Sequence, residues 1–162
     1  MFLIFKGVSD INVRQLMGVY YDSMFAEIDQ MTNLEILQKE QDFYYDLFAF
    51  FREPSPIYFV LSEGGRYISA LRSTEYEDGV IIAGLETTKD DRCCGYAKKL
   101  LQYAVSYLHN NGIHKIYSHV EYENQPSLSV HYANGFHKIS DSATFLDGTA
   151  SDRFVTLLND KE

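Results

Sequence analysis

The run from Val80 to Leu108 constrains this chain most: an apolar strand passes through one loop into a strongly periodic helix. In the helical part Ala97, Leu100, Leu101, Ala104, Val105 and Leu108 recur at i, i+3, i+4, i+7, i+8 and i+11, the spacing of a single buried face. A strand that feeds its chain straight into a helix leaves the first amide N–H groups of that helix without intrahelical partners. With the helix dipole, those groups favour an anion, phosphate above all. Gly95 lacks a Cβ and so lets an anion approach the main chain. Lys98 and Lys99 stand in the first turn, where the dipole disfavours each by roughly a few tenths of a kcal/mol and a bound anion reverses the sign. Asp90 and Asp91 oppose an anion unless they turn to solvent. An ordinary β-turn-α connection has the same outline, so this loop alone does not fix a function.

The flanking chain reads as the remainder of an α/β domain. Met1 to Val8 is a short apolar strand, and Ser9 and Asp10 offer N-caps to a helix over Val13 to Glu27. Thr32 or Asn33 caps a second helix to about Arg52, stopped by Pro54 and Pro56. Ile57 to Ser62 and Tyr67 to Arg72 flank Gly64-Gly65, which supplies the positive φ of a tight hairpin. Glu77-Asp78-Gly79 turns the chain into Val80 to Thr87. Asn110-Asn111-Gly112 ends the long helix with a left-handed stop. His114 to Val120 alternates like a strand, Pro126 sits in the first turn of another helix, and Phe136 to Ser140 and Arg153 to Leu158 close the chain.

Composition narrows the classes. A chain of 162 residues with 46% apolar and 23% charged residues fits one globular domain over residues 1–162. No apolar run has the length of a membrane span, and Met1 to Phe5 is too short for a signal-peptide core. Cys93 and Cys94 are the only cysteines and are adjacent, which fits neither a disulfide framework nor metal-ligand spacing. A cytoplasmic protein is the simplest expectation, with no metal and no membrane. The net charge of −9 disfavours nucleic acid and mildly favours a cationic partner.

Two motifs now combine. Arg92-Cys93-Cys94-Gly95-Tyr96-Ala97 resembles the (Arg/Gln)-x-x-Gly-x-(Gly/Ala) acetyl-CoA loop of the GNAT superfamily of N-acetyltransferases. Further on, Asn124-Gln125-Pro126-Ser127 is similar to that family's Asn-x-x-(Ala/Ser) helix start, and Asn134-Gly135-Phe136 to its closing Gly-Phe. The resemblance implies a central mixed, mostly antiparallel sheet flanked by helices on both faces, acetyl-CoA as cosubstrate, and direct attack of a primary amine on the thioester. It makes Arg92 through Ala97 the pyrophosphate loop, with main-chain N–H groups acting and Lys98 or Lys99 reaching an outer phosphate. It makes Leu85 and Thr87 the strand end that pairs with pantetheine and supplies an oxyanion N–H, and Asn124, with Ser127 after it, the pantetheine-side helix start. Cys93 departs from the family, whose members more often have Gly or a basic residue there. That departure loosens the loop or exposes a thiol, although two small residues in a turn is the plainer account.

The reaction needs an unprotonated amine, an oxyanion donor and a proton for the leaving thiolate. An amine of pKa ~10.4 lies ~3.4 units above pH 7, so deprotonation costs about 4.6 kcal/mol and a base is useful. Glu86, the one carboxylate in its apolar strand segment, is the candidate; a strand-end residue facing water is the equal alternative, and Glu121 and His119 are reserves. For the acid, the position of the family's tyrosine falls on His131, and Tyr132 follows it. Only one of the two can face the sulfur, since helix neighbours point about 100° apart. His131 is the positional match, but an imidazole of pKa ~6.5 is mostly neutral at pH 7, whereas a phenol keeps its proton. Packing against pantetheine is the equal alternative for His131.

In such proteins the first two helices wall the acceptor site. Between Asp10 and Glu53 nine acidic residues face three basic ones, among many aromatics. That combination suits an organic ammonium, whereas aromatics as core and acids as a solvated face is the preferred plain reading. The acceptor is thus a small-molecule amine or a peptide. A non-catalytic CoA-binding sensor is the alternative function, and a homodimer stays open.

Overall fold

In the computed structural model, which describes residues 1–161, β1 (Phe2–Phe5) leads into α1 (Val13–Met24) and α2 (Asn33–Phe50). A meander follows, of β2 (Ile57–Glu63), β3 (Arg66–Tyr76) and β4 (Gly79–Thr87). Then come α3 (Tyr96–Asn110), β5 (Lys115–Glu121), α4 (Gln125–Tyr132) and β6 (His137–Ser140). A small hairpin of β7 (Ala143–Thr144) and β8 (Ala150–Ser151) precedes β9 (Phe154–Asp160). Seven strands form one sheet in the order β1-β2-β3-β4-β5-β9-β6. Every pairing is antiparallel except that of β4 with β5, so the sheet is mixed and mostly antiparallel.

Local chemistry explains most boundaries. Thr32 and Glu35 form a capping box that starts α2. Gly64 and Gly65 take φ of +58° and +80° in the hairpin between β2 and β3. The cap of α1 differs from expectation: Ser9 and Asp10 lie in a 3-10 turn, and Asn12 accepts the Gln15 amide at 3.1 Å instead. The helix also ends at Met24, short of Glu27.

Each face of the sheet carries its own core. Leu100, Leu101, Ala104 and Leu108 of α3 bury their shared stripe against Phe59, Leu71, Ile82 and Ile116. Leu16, Val19 and Tyr20 of α1, with Leu47 and Phe50 of α2, cover Tyr58, Val60 and Ala70 on the other face. Each fully buried leucine contributes about 1.5–3 kcal/mol by leaving water.

The parallel contact is short. β4 pairs with β5 only from Val80 to Ile82, against Ile116 to Ser118. Beyond it β4 continues to Thr87 on β3 alone, and β5 continues to Glu121 on β9 alone. The sheet therefore opens as a wedge whose β4 side is an unpaired strand edge.

Candidate active site

A β-bulge sets the direction of Glu86. In the β3–β4 ladder Ala70 faces Glu86 and Arg72 faces Ala83, so Gly84 and Leu85 together oppose Leu71. Gly84 adopts φ +63°, a conformation that glycine takes without strain. Before the bulge Val80 and Ile82 point to the α3 core. Strict alternation would also send Glu86 there. The inserted residue shifts the phase, so Leu85 packs against that core and Glu86 turns to the face covered by α1 and α2. The Tyr20 hydroxyl of α1 holds the bulge by donating to the Gly84 carbonyl at 2.7 Å.

Glu86 stands where two cavities meet. One, of 520 Å³, is a cleft at the mouth of the wedge, lined by Leu85, Glu86 and Thr87 of β4, Arg92, Ala97, and Asn124, Ser127 and Val130 around α4. The other, of 240 Å³, lies under α1 and α2 between Tyr20, Phe43, Asp46, Tyr58, Arg72 and Glu86. Ser23 and Glu86 line both. Burial pushes the Glu86 carboxyl pKa up, with the Ser23 hydroxyl and the Arg92 guanidinium partly offsetting it.

The loop before α3 presents bare amides. Cys93 and Gly95 adopt φ of +62° and +79°, and Gly95 forms the helix N-cap without a side-chain cap. Among the described residues, the amides of Tyr96, Ala97 and Lys98 donate to no protein group. Space next to Gly95 is open, since a Cβ there would meet nothing within 4 Å. Asp91 is turned aside by Arg66 at 2.8 Å and by the Thr88 hydroxyl, so its charge does not oppose an anion at the helix start. Arg92 is tied back by Asp22 at 2.8 Å and donates through Nε to the Thr87 carbonyl at 3.3 Å. It braces the loop against α1 and the end of β4. Lys98 is exposed, while the ammonium of Lys99 lies over the Tyr96 ring at 5.5 Å. Cys93 and Cys94 are both exposed and free. Asn124 caps α4 by accepting the Ser127 amide at 3.1 Å. Bare amides, open space at Gly95 and the unpaired β4 edge fit the pyrophosphate and pantetheine of a coenzyme A group.

Neither acid candidate lines the cleft, although His131 contacts Ser127, which does. His131 is 2% exposed. Its Nδ1 lies 2.8 Å from the Ser127 carbonyl, which can only accept, so the ring proton is on Nδ1. Nε2 then accepts from the Ser118 hydroxyl at 3.0 Å. Burial lowers the pKa of this imidazole, so at neutral pH it holds no second proton. Tyr132 is 48% exposed and lies about 200° around α4 from Val130, the residue that faces the cleft. Of the reserve bases, Glu121 pairs with Arg153 at 3.6 Å, and His119 packs between Tyr76 and Phe145.

Of the cleft residues, Ser23, Tyr58 and Arg72 carried no signal in the sequence, and Tyr20 and Asp22 counted only among the aromatics and acids of the first two helices. Tyr20, Asp22 and Ser23 reach the site from one turn of α1, and Tyr58 and Arg72 from β2 and β3. Gly84 did carry one, because a glycine inside a strand pattern marks a bulge. The aromatics of the N-terminal helices divide: Tyr20, Phe43 and Phe50 pack with the core, whereas Tyr45 and Phe48 are exposed.

The family model for the acetyltransferase (GNAT) family matches residues 22–136. No curated protein sequence matches the chain. Among solved structures, the PaiA N-acetyltransferase of Thermoplasma acidophilum in complex with coenzyme A is similar at TM-score 0.70 and 14% identity, covering 99% of each chain. The ribosomal-protein-S18-alanine N-acetyltransferase of Escherichia coli is similar at TM-score 0.64 and 14% identity, over 98% of this chain and 92% of that one. The IAA acetyltransferase of Bacillus cereus follows at TM-score 0.64 and 15% identity, over 99% and 100%. These likenesses are of fold.

Proposed function

The chain belongs to the acetyltransferase (GNAT) family and uses acetyl-CoA as cosubstrate, and on that premise we propose that it acetylates a primary amine of a cationic acceptor, with Glu86 as base. The observation that carries this reading is the place of Glu86, a partly buried carboxylate at the junction of the cofactor cleft and the cavity under α1 and α2. Burial moves its pKa toward the pH at which it works, which is what a general base requires. Acetyl-CoA supplies an activated acyl group and a thiolate leaving group. The bare amides at the start of α3 bind the pyrophosphate, and Lys98 adds charge beside it. The unpaired edge of β4 around Leu85 and Thr87 orients pantetheine and offers an N–H to the oxyanion. Asn124 and Ser127 at the head of α4 form the opposite wall. Glu86 takes a proton from the acceptor ammonium, directly or through one water. Water is the proton source for the departing thiolate in this reading, which the absence of His131 and Tyr132 from the cleft lining supports.

Charge in the outer groove supports a cationic acceptor. A third cavity, of 340 Å³, adjoins the one under α1 and α2 and shares Asp46 and Arg72 with it. Along this path Asp46, Glu53 and Glu86 outnumber Arg72. A cytoplasmic setting suits an enzyme with acetyl-CoA as cosubstrate and two free, exposed cysteines. The test is a panel of amines, diamines, amino acids and anionic amines, with thiol release followed at saturating acetyl-CoA. Acceleration by cationic amines, lost in Glu86→Gln, is the expected result. Hydrolysis that no amine accelerates would overturn the reading in favour of a CoA-binding protein without an acceptor.

A further inference from the structure

Arg72 sits in the acceptor groove without a counter-ion. It comes from β3 on the same face as Ala70, and Ala70 is the ladder partner of Glu86. Two residues along a strand span about 7 Å, and the Arg72 and Glu86 side chains line the same cavity under α1 and α2. Its guanidinium lies over the Phe50 ring, 5.4 Å from the centroid. It is half-buried, and among the described residues it forms no salt bridge. Of the two phenols beside it, Tyr20 donates its proton to the Gly84 carbonyl, and Tyr58, the ladder partner of Arg72, offers its hydroxyl oxygen to one edge of the guanidinium without supplying a charge.

A guanidinium held by stacking, with one edge toward the Tyr58 hydroxyl of the neighbouring strand, keeps its remaining N–H donors for a planar oxyanion. Along the groove the order is Glu86, then Arg72 with Asp46, then Glu53. A simple diamine would satisfy the carboxylates but set a positive charge against Arg72, which works as an element of rejection. A phosphate dianion would meet three carboxylates. We propose that the acceptor is a basic amino acid, whose carboxylate binds Arg72 while its reacting amine lies at Glu86 and its second ammonium at Asp46 and Glu53. This rests on the reading above, in which Glu86 faces the acceptor.

The test compares lysine with cadaverine, its decarboxylated counterpart, and with lysinamide, in which the carboxylate is blocked. Lysine should have a kcat/KM about 10- to 100-fold above both, the worth of a charge-assisted pair. Arg72→Gln should bring the three within about threefold of one another. Wild-type ratios near one, or loss of all three activities by one common factor in Arg72→Gln, would overturn the proposal. So would a phosphorylated amine such as phosphoethanolamine outpacing lysine. Calorimetric binding of the same compounds to the CoA-loaded protein gives a readout apart from turnover. Binding that ranks the compounds as stated, without any acetyl transfer, would sustain the Arg72 assignment and overturn the enzymatic reading alone. Should Arg72→Gln fail to fold, Arg72→Lys keeps the charge and loses the fork; lysine must then lose at least threefold against cadaverine, and an unchanged ratio sinks the idea.

Discussion

Glu86 is held at a cost to the fold. Its pKa is raised by burial, so the folded state favours the protonated carboxyl. The stability it contributes is complete below the ordinary carboxylate pKa and is lost as pH rises through the raised value. Glu86→Gln should therefore raise Tm at neutral pH while lowering kcat by roughly 10²–10⁴-fold and removing the acid limb of the pH–rate profile. A Gln variant with wild-type single-turnover rates would exclude Glu86 as base. His131 has the opposite sign. Its pKa is lowered by burial, so the stability it supplies is present above the ordinary imidazole value and is lost as pH falls below it. His131→Gln should cost about 1–3 kcal/mol at pH 8, because Ser118 and Ser127 lose a partner. Thermal melts read that loss, and the single-turnover rate should keep its pH dependence. An alkaline limb abolished in His131→Gln would return the acid role to this residue.

At the scale of elements, one strand and one loop build the site. The bulge at Gly84 requires glycine for its positive φ, whereas a Cβ there would lie 3.4 Å from the Tyr20 hydroxyl, an ordinary contact. Gly84→Ala should cost roughly 1–2 kcal/mol from backbone strain. It should also lower kcat/KM more than acetyl-CoA affinity, since the change re-aims Glu86 and leaves the loop alone. Melting curves and cofactor titration separate the two effects; equal losses in both would mean that the bulge serves only stability. The loop before α3 has the complementary test. Gly95→Asp brings a side chain into a left-handed position and a negative charge to the bare amides. Acetyl-CoA binding by calorimetry should weaken at least tenfold, or about 1.4 kcal/mol. Wild-type affinity in that variant would remove the loop from the cofactor site.

Taken whole, the molecule is an anion that must bind an anionic cosubstrate. The net charge is −9, so in the proposed reading any attraction at the start of α3 must be local, from the bare amides, Lys98 and Lys99 against a repulsive background. A cationic acceptor meets the favourable side of the same field. Its kcat/KM should fall as salt is raised from about 0.01 to 0.15 M, over which the screening length drops from about 30 to 8 Å. A preferred acceptor of net negative charge, or a rate that rises with salt, would contradict the acidic groove. Among the described residues no helix is long and apolar enough to cross a membrane.

The sequence by itself determined the pieces whose cause is local. The apolar stripe of α3, the Gly64-Gly65 hairpin, the stop at Gly112 and the loop at Gly95 all rest on residue type and spacing within a few positions. So did the class of fold, a mixed, mostly antiparallel sheet with helices on both faces, once two spaced motifs were set beside a known family. Tertiary structure decided what depends on which strands separate and which way side chains turn. The wedge between β4 and β5 exists because their pairing stops at Ile82, and no residue there announces it. The bulge at Gly84 reversed the facing of Glu86, since one inserted residue exchanges the two sides of a strand. Arg72 and Tyr20 entered the site only through that face, from elements far apart in the chain. His131 sits where helical register placed it, yet its protons answer to Ser118 and Ser127. Burial and partner choice are properties of packing, and packing is a long-range fact.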